Sequence, residues 1–163
     1  MMTDPRDITH LERCVALAAQ ALDAGDDPFG SVLVGADGVV LAEDRNRETT
    51  SADPTAHPEL ALAQWAAAHL PPEQRATATV FTSGEHCPMC AAAHAWVGLG
   101  RIVYAASSAQ LSGWRSGWGL PASPVAALPI SVIAPGLAIR GPVPPLDDQV
   151  RLLHQRAAAR QRR

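Results

Sequence analysis

At 163 residues, 47% of them apolar, the chain has material for one domain with a real core and no disulfide staples. No apolar run approaches the ~18 residues that cross a membrane, and Met1 to Asp7 lacks the basic and apolar stretches of a signal peptide, so a cytoplasmic protein without a membrane partner is expected. The net charge of −3 points to no acidic or basic partner.

Asp7 to Leu22 reads as an amphipathic helix, with Ile8, Leu11, Val15, Ala18 and Leu22 recurring at three or four residues and Gly25 closing it. Ser31 to Val34 and Val39 to Ala42 are short β-rich runs joined by Gly35-Ala36-Asp37-Gly38, a hairpin signature. Arg45 to Thr55 is a polar loop. A second helix starts near His57, tolerates Pro58 in its first turn, and runs to about His69 before Pro71-Pro72. Thr79 to Thr82 is a strand, and a third helix opens near Cys87-Pro88 and ends near Gly98. Ile102 to Ala105 is the next strand. Residues 107 to 129, rich in Ser, Gly, Trp and Pro, read as a loop. Ile130 to Ala134 is expected as the final strand, and Leu146 to about Arg160 as a terminal helix. The alternation predicts a single layered α/β domain over residues 1–163, with parallel strands at the crossovers and antiparallel strands in the hairpin.

All thirteen basic residues are arginine, and Arg151, Arg156, Arg160, Arg162 and Arg163 crowd the end. Such a tail can touch nucleic acid, but it also suits the solvated C-terminus of a helix, where positive charge meets the negative end of the dipole.

Of three cysteines, Cys14 stands alone in a helical pattern as a small apolar residue. Cys87 and Cys90 form C-x-x-C, which in a cytosolic chain points to metal or redox chemistry before a structural disulfide. His57-Pro58-Glu59 opens one helix and Cys87-Pro88-Met89-Cys90 opens the next. Two thiolates and one imidazole suit zinc, and three protein ligands leave a fourth position for water. Residues two apart on a helix diverge, so His57 and Glu59 share a site only if His57 sits at the very start, where the backbone is not yet helical. Glu59 is then placed to carry a proton from activated water to a leaving amine, the arrangement of a zinc deaminase with its H-x-E and P-C-x-x-C signature.

On these motifs the chain resembles the cytidine/deoxycytidylate deaminase superfamily, most closely its free-base branch of guanine deaminase and yeast-type cytosine deaminase. The resemblance covers about residues 8 to 135. It is carried by Pro28-Phe29-Gly30, Asn46, Asp53-Pro54-Thr55-Ala56-His57-Pro58-Glu59, and Thr82-Ser83 leading to Cys87-Pro88-Met89-Cys90. It implies zinc on His57, Cys87 and Cys90, Glu59 as the acid/base, Asn46 as a substrate-binding asparagine, and a five-stranded mixed sheet between helices, often in a homodimer. Pro58 and His86 stand where the family usually has Ala and Pro, neither at a ligand position. Gly113-Trp114-Arg115-Ser116 stands where guanine deaminases carry an acidic pair.

A thioredoxin-like reading of C-x-x-C leaves His57-Pro58-Glu59 without a role. A structural zinc site, closed by His86 or by His94 four residues after Cys90, leaves Glu59 without one. Trp65 and Trp96 fall inside helices, as core or dimer interface. Trp114 and Trp118 are expected in a loop covering the bound base, with Phe29 and His86 as further substrate-facing residues. A small nucleobase or nucleoside is expected as substrate. A tRNA adenosine deaminase, the alternative, needs a basic face around the site, whereas most arginines lie away from the motifs.

Overall fold

The computed structural model describes residues 3–161 and 163. Of the arginine-rich end, Arg162 lies outside the described residues, as do Met1 and Met2 at the start. The elements in chain order are α1 (Pro5–Asp23), β1 (Gly30–Val34), β2 (Val40–Arg45), α2 (Pro58–His69), α3 (Pro72–Thr77), β3 (Thr79–Gly84), α4 (Pro88–Trp96), β4 (Ile102–Ala106), α5 (Ser108–Gly117), α6 (Ile130–Ile133), β5 (Ile139–Arg140) and α7 (Leu146–Gln161). Five strands form one mixed sheet in the order β2-β1-β3-β4-β5. β1 is antiparallel to β2 and β3, whereas β3–β4 and β4–β5 are parallel.

Strand alternation distributes the core between two faces. Val32, Val34, Phe81, Val103 and Ala105 pack with Leu11, Cys14 and Leu17 of α1 and Val150 of α7. Their neighbours Leu33 and Val80 point the other way, against Leu62, Ala63 and Ala66 of α2. Ile102 and Tyr104 join Ala91 of α4 and Ile130 of α6 on that second face. The domain is therefore three-layered, with α1 and α7 on one side of the sheet and α2, α4 and α6 on the other. No helix among the described residues is long and apolar enough to cross a membrane.

Local signals explain most boundaries. Asp4 caps α1 by accepting from the Arg6 amide at 2.9 Å. At the far end the Asp26 amide reaches back to Ala21 O at 2.9 Å across Gly25, whose φ of +95° suits the turn. Of the arginines at this end, Arg151, Arg156 and Arg160 lie on α7: Arg151 and Arg156 are exposed, and Arg160 donates to the Leu22 carbonyl at the end of α1.

Two expectations are corrected. Ile130 to Ala134 is not a strand. Pro129 has no amide to offer a ladder, and Ile130 and Ile133 turn inward at helical spacing while Val132 is exposed. The fifth strand is Ile139–Arg140, paired with Ile102 and Val103 of β4. Residues 107 to 117 are not a loop but a capped helix: Ser107 accepts from the Gln110 amide at 3.1 Å, and Gln110 Oε1 accepts from the Ser107 amide at 2.8 Å. The Pro71-Pro72 pair both stops α2 and, with Pro72 in the first turn, starts the short α3.

Candidate metal centre and active site

The sheet brings two helix starts together. His57 is the N-cap of α2, with extended backbone (φ −88°, ψ 139°), and Pro58 occupies the first turn. Cys87 is the N-cap of α4, also extended (φ −67°, ψ 167°), with Pro88 following. These cap conformations meet the demand set by the His-x-Glu spacing, since the His57 side chain leaves the helix before its periodicity begins. His57 Nδ1 lies 3.6 Å from both Cys87 Sγ and Cys90 Sγ. The three ligand atoms lie within 4.8 Å of one another and could hold a metal ion. The donor set, soft sulfur with one imidazole, fits zinc.

Neither His86 nor His94 belongs to this group. His94 Nε2 is 2.7 Å from the Gly100 carbonyl, and the two rings meet edge to face with centroids 5.3 Å apart. His86 is buried, neither ring nitrogen has a protein partner, and burial drives its pKa well below the ordinary histidine value. A four-ligand structural site closed by either residue is therefore not formed.

The ligands share charge strongly. The hydrogen bond from Cys90, and then His57, lowers the Cys87 thiol to about 4, while the neighbouring Cys87 sulfur pushes Cys90 upward. His57 is raised to about 10, first by Cys87 and then by Glu48. This is a site built to attract a cation.

Glu59 is buried beside the ligands, with 6% of its surface exposed. Ser31 and Thr82 are register partners on β1 and β3, and both face α2. Ser31 Oγ is 3.1 Å and Thr82 Oγ1 2.9 Å from the same carboxylate oxygen, Glu59 Oε1. Burial raises the Glu59 pKa above its ordinary value, against the pull of His57 and the Thr82 hydrogen bond. A carboxylate that is fixed, dry and easily protonated is suited to taking up and returning a proton.

Asn46 is buried, and its amide nitrogen donates to Glu48 Oε2 at 2.6 Å. Its own main-chain amide donates to the Phe29 carbonyl at 3.0 Å, which ties it to the Pro28-Phe29-Gly30 run. The Phe29 ring lies on Gly84, where any Cβ would come within 3.0 Å of it, and His154 of α7 meets it edge-on at 4.9 Å. Trp114 lies on α5, half-buried, and packs against the core cluster that includes α1 and α7 rather than standing on a loop. Trp118 caps the end of α5, half-buried. Trp65 stacks on His69 at 4.5 Å and packs against the core, whereas Trp96 is 87% exposed.

Motif reading gives no role to Ser31, Glu48 or His154, and includes Thr82 without assigning it one. Ser31 and Thr82 carried a signal: polar residues on the buried face of otherwise apolar strands need a polar partner. Glu48 carried none, because its role depends on how the loop folds back.

A His-Cys-Cys cation site with a buried carboxylate beside it, between two helix starts over a mixed sheet, defines the zinc-deaminase class of architecture. The chain belongs to the cytidine and deoxycytidylate deaminase family, whose zinc-binding region matches residues 5–106. It is 42% identical over 99 residues to guanine deaminase from Bacillus subtilis (strain 168), a match covering 60% of this chain and 63% of that enzyme. It is 34% identical over 110 residues to tRNA-specific adenosine deaminase from Agrobacterium fabrum, covering 67% of this chain and 72% of the relative. The solved guanine deaminase from Nitrosomonas europaea superposes with a TM-score of 0.73 at 21% identity, over 98% of this chain and 87% of that one, a likeness of fold. The chain thus spans just under two thirds of the length of its Bacillus relative.

Proposed function

We propose that this protein is a zinc-dependent aminohydrolase that deaminates a small nucleobase or nucleoside and releases ammonia. The observation that carries the reading is the Glu59 carboxylate, buried beside three metal-ligating side chains and held by Ser31 and Thr82. His57, Cys87 and Cys90 would hold zinc, which supplies Lewis-acid activation of water. Glu59 would take one proton from the attacking water and pass it to the ring nitrogen, then take a second from the hydroxyl now on the ring carbon and pass it to the amine, which departs as ammonia when the C–N bond breaks. Asn46 offers its amide to the heterocycle, and Phe29 forms an apolar wall beside it.

A small substrate is favoured over tRNA by the charges near the site. Arg45 is paired with Asp26 at 2.9 Å and Arg47 with Asp44 at 3.0 Å. The Glu48 carboxylate adds negative charge 3.4 Å from His57 Nε2. Arginines so neutralised make a poor track for a phosphate backbone. The reading includes a homodimer, for which the exposed Trp96 at the end of α4 offers an apolar contact.

The test is an ammonia-release screen of zinc-loaded protein over aminopurines, aminopyrimidines, their nucleosides, and pterin and triazine analogues. Release from one of these, lowered about 10²–10⁴-fold in Glu59→Gln, is expected. Editing of tRNA adenosine with no release from any free heterocycle would replace the small-molecule reading with the tRNA one.

A further inference from the structure

Glu48 stands between the metal ligand and the substrate-binding amide and uses a different oxygen for each. Its Oε1 lies 3.4 Å from His57 Nε2, and its Oε2 accepts from Asn46 Nδ2 at 2.6 Å. The main-chain amide of Glu48 donates in turn to Asn46 Oδ1 at 3.0 Å. The Asn46 side chain is thus read at both ends by one residue, which fixes which end is oxygen. His57 is likewise oriented: with Nε2 toward a carboxylate, its Nδ1 is left facing the two sulfurs.

The loop that carries Glu48 is firmly mounted. Buried Asp26 accepts from the amides of Thr49 and Thr50 at 2.9 and 2.8 Å, from Thr50 Oγ1 at 2.8 Å and from Arg45 at 2.9 Å. The Asp53 amide closes the loop on the Glu48 carbonyl at 3.0 Å. Position 48 is therefore held independently of its own side chain, and that side chain is free to orient its two neighbours.

We propose that Glu48 is a positioning residue that couples the zinc ligand His57 to the substrate-binding amide of Asn46. It orients the imidazole for the metal with one oxygen and the amide for the heterocycle with the other. The inference rests on the zinc deaminase reading above for its substrate arm, but not for its metal arm. Partners of this kind behind a metal-bound histidine commonly change metal affinity or activity about 10–100-fold when removed.

Two variants separate the arms. Glu48→Ala removes both acceptors. Glu48→Gln keeps an amide oxygen for His57 but turns an NH2 toward Asn46 Nδ2; if Asn46 flips to accept from it, its own NH2 meets the main-chain amide of residue 48. Transfer of zinc from each protein to a chromogenic chelator is measured first, with melting curves confirming the fold. Glu48→Ala is expected to bind zinc about 10–100-fold more weakly than the parent, and Glu48→Gln to stay close to it. On the best substrate of the screen, Glu48→Gln is expected to raise KM about 3–10-fold with little change in kcat. The assignment is overturned if Glu48→Ala holds zinc as the parent does, or if Glu48→Gln loses zinc as readily as Glu48→Ala. A screen that finds no substrate counts against the deaminase reading alone, since zinc retention is measured without substrate.

Discussion

Thr82 Oγ1 and Glu59 Oε1 lie 2.9 Å apart, a contact between β3 and the first turn of α2 that spans 23 residues of sequence. Because the hydroxyl stabilises the ionised carboxylate, Thr82→Val, similar in shape, should lower kcat by about tenfold or more. It should also move the acid limb of the pH–rate profile to higher pH, with zinc content unchanged. A profile that overlays the parent's would show that the hydroxyl is only filling space.

Glu59→Gln should keep zinc and fold but lose about 10²–10⁴-fold in turnover, the usual worth of a general acid/base. Its effect on stability has the opposite sign. Burial raises the folded-state pKa of Glu59, so the fold prefers the protonated form. The ionised carboxylate therefore destabilises the metal-free protein at neutral pH, and that loss is recovered as pH falls through the raised pKa toward the ordinary carboxylate range. Metal-stripped Glu59→Gln should melt above the metal-stripped parent at pH 7, and the gap should narrow on acidification. Calorimetry at several pH values checks both statements.

Zinc binding should release about two protons throughout pH 5.5 to 8, because ligands must be deprotonated to bind. With Cys87 lowered to about 4 it is already a thiolate, whereas His57 at about 10 and the raised Cys90 still carry protons. Apparent affinity should then rise about 100-fold per pH unit. Unperturbed ligands would release about three protons at pH 5.5, since histidine and both cysteines would then be protonated. Titration calorimetry in buffers of different ionisation enthalpy counts them.

Gly30→Ala should destabilise the whole domain. A Cβ at this position would lie 2.5 Å from the Cys14 carbonyl oxygen, 2.5 Å from Leu17 Cβ and 2.8 Å from the Ala18 amide of α1. Backbone atoms cannot step aside as a side-chain tip can, so a loss of about 1–3 kcal/mol or more is expected. The melting midpoint should fall by several degrees while any folded protein retains its zinc.

Trp114→Ala should reduce stability rather than substrate affinity, because the ring packs against the core cluster. A loss of about 2–4 kcal/mol with an unchanged KM is expected. A rise in KM without a stability change would instead place the ring against the heterocycle.

The sequence by itself determined the ligand set and most of the layers. Proline-marked helix starts at His57-Pro58 and Cys87-Pro88, and short β-rich runs between turn signals, are local features, and local chemistry makes them legible. Locality also explains the failures. Ile130-Ser-Val-Ile has no periodicity long enough to separate strand from helix, and the edge of β4 was taken by Ile139–Arg140, which carries a weaker β signal. Gly113 and Gly117 masked a helix that the Ser107–Gln110 capping box starts. The pairing of Ser31 with Thr82, their shared hold on Glu59, and the reach of Glu48 to both His57 and Asn46 exist only once the sheet register and the Asp26-anchored loop are set. Those contacts join residues far apart in the chain or folded back through a loop, and only tertiary structure decides which buried polar group meets which partner.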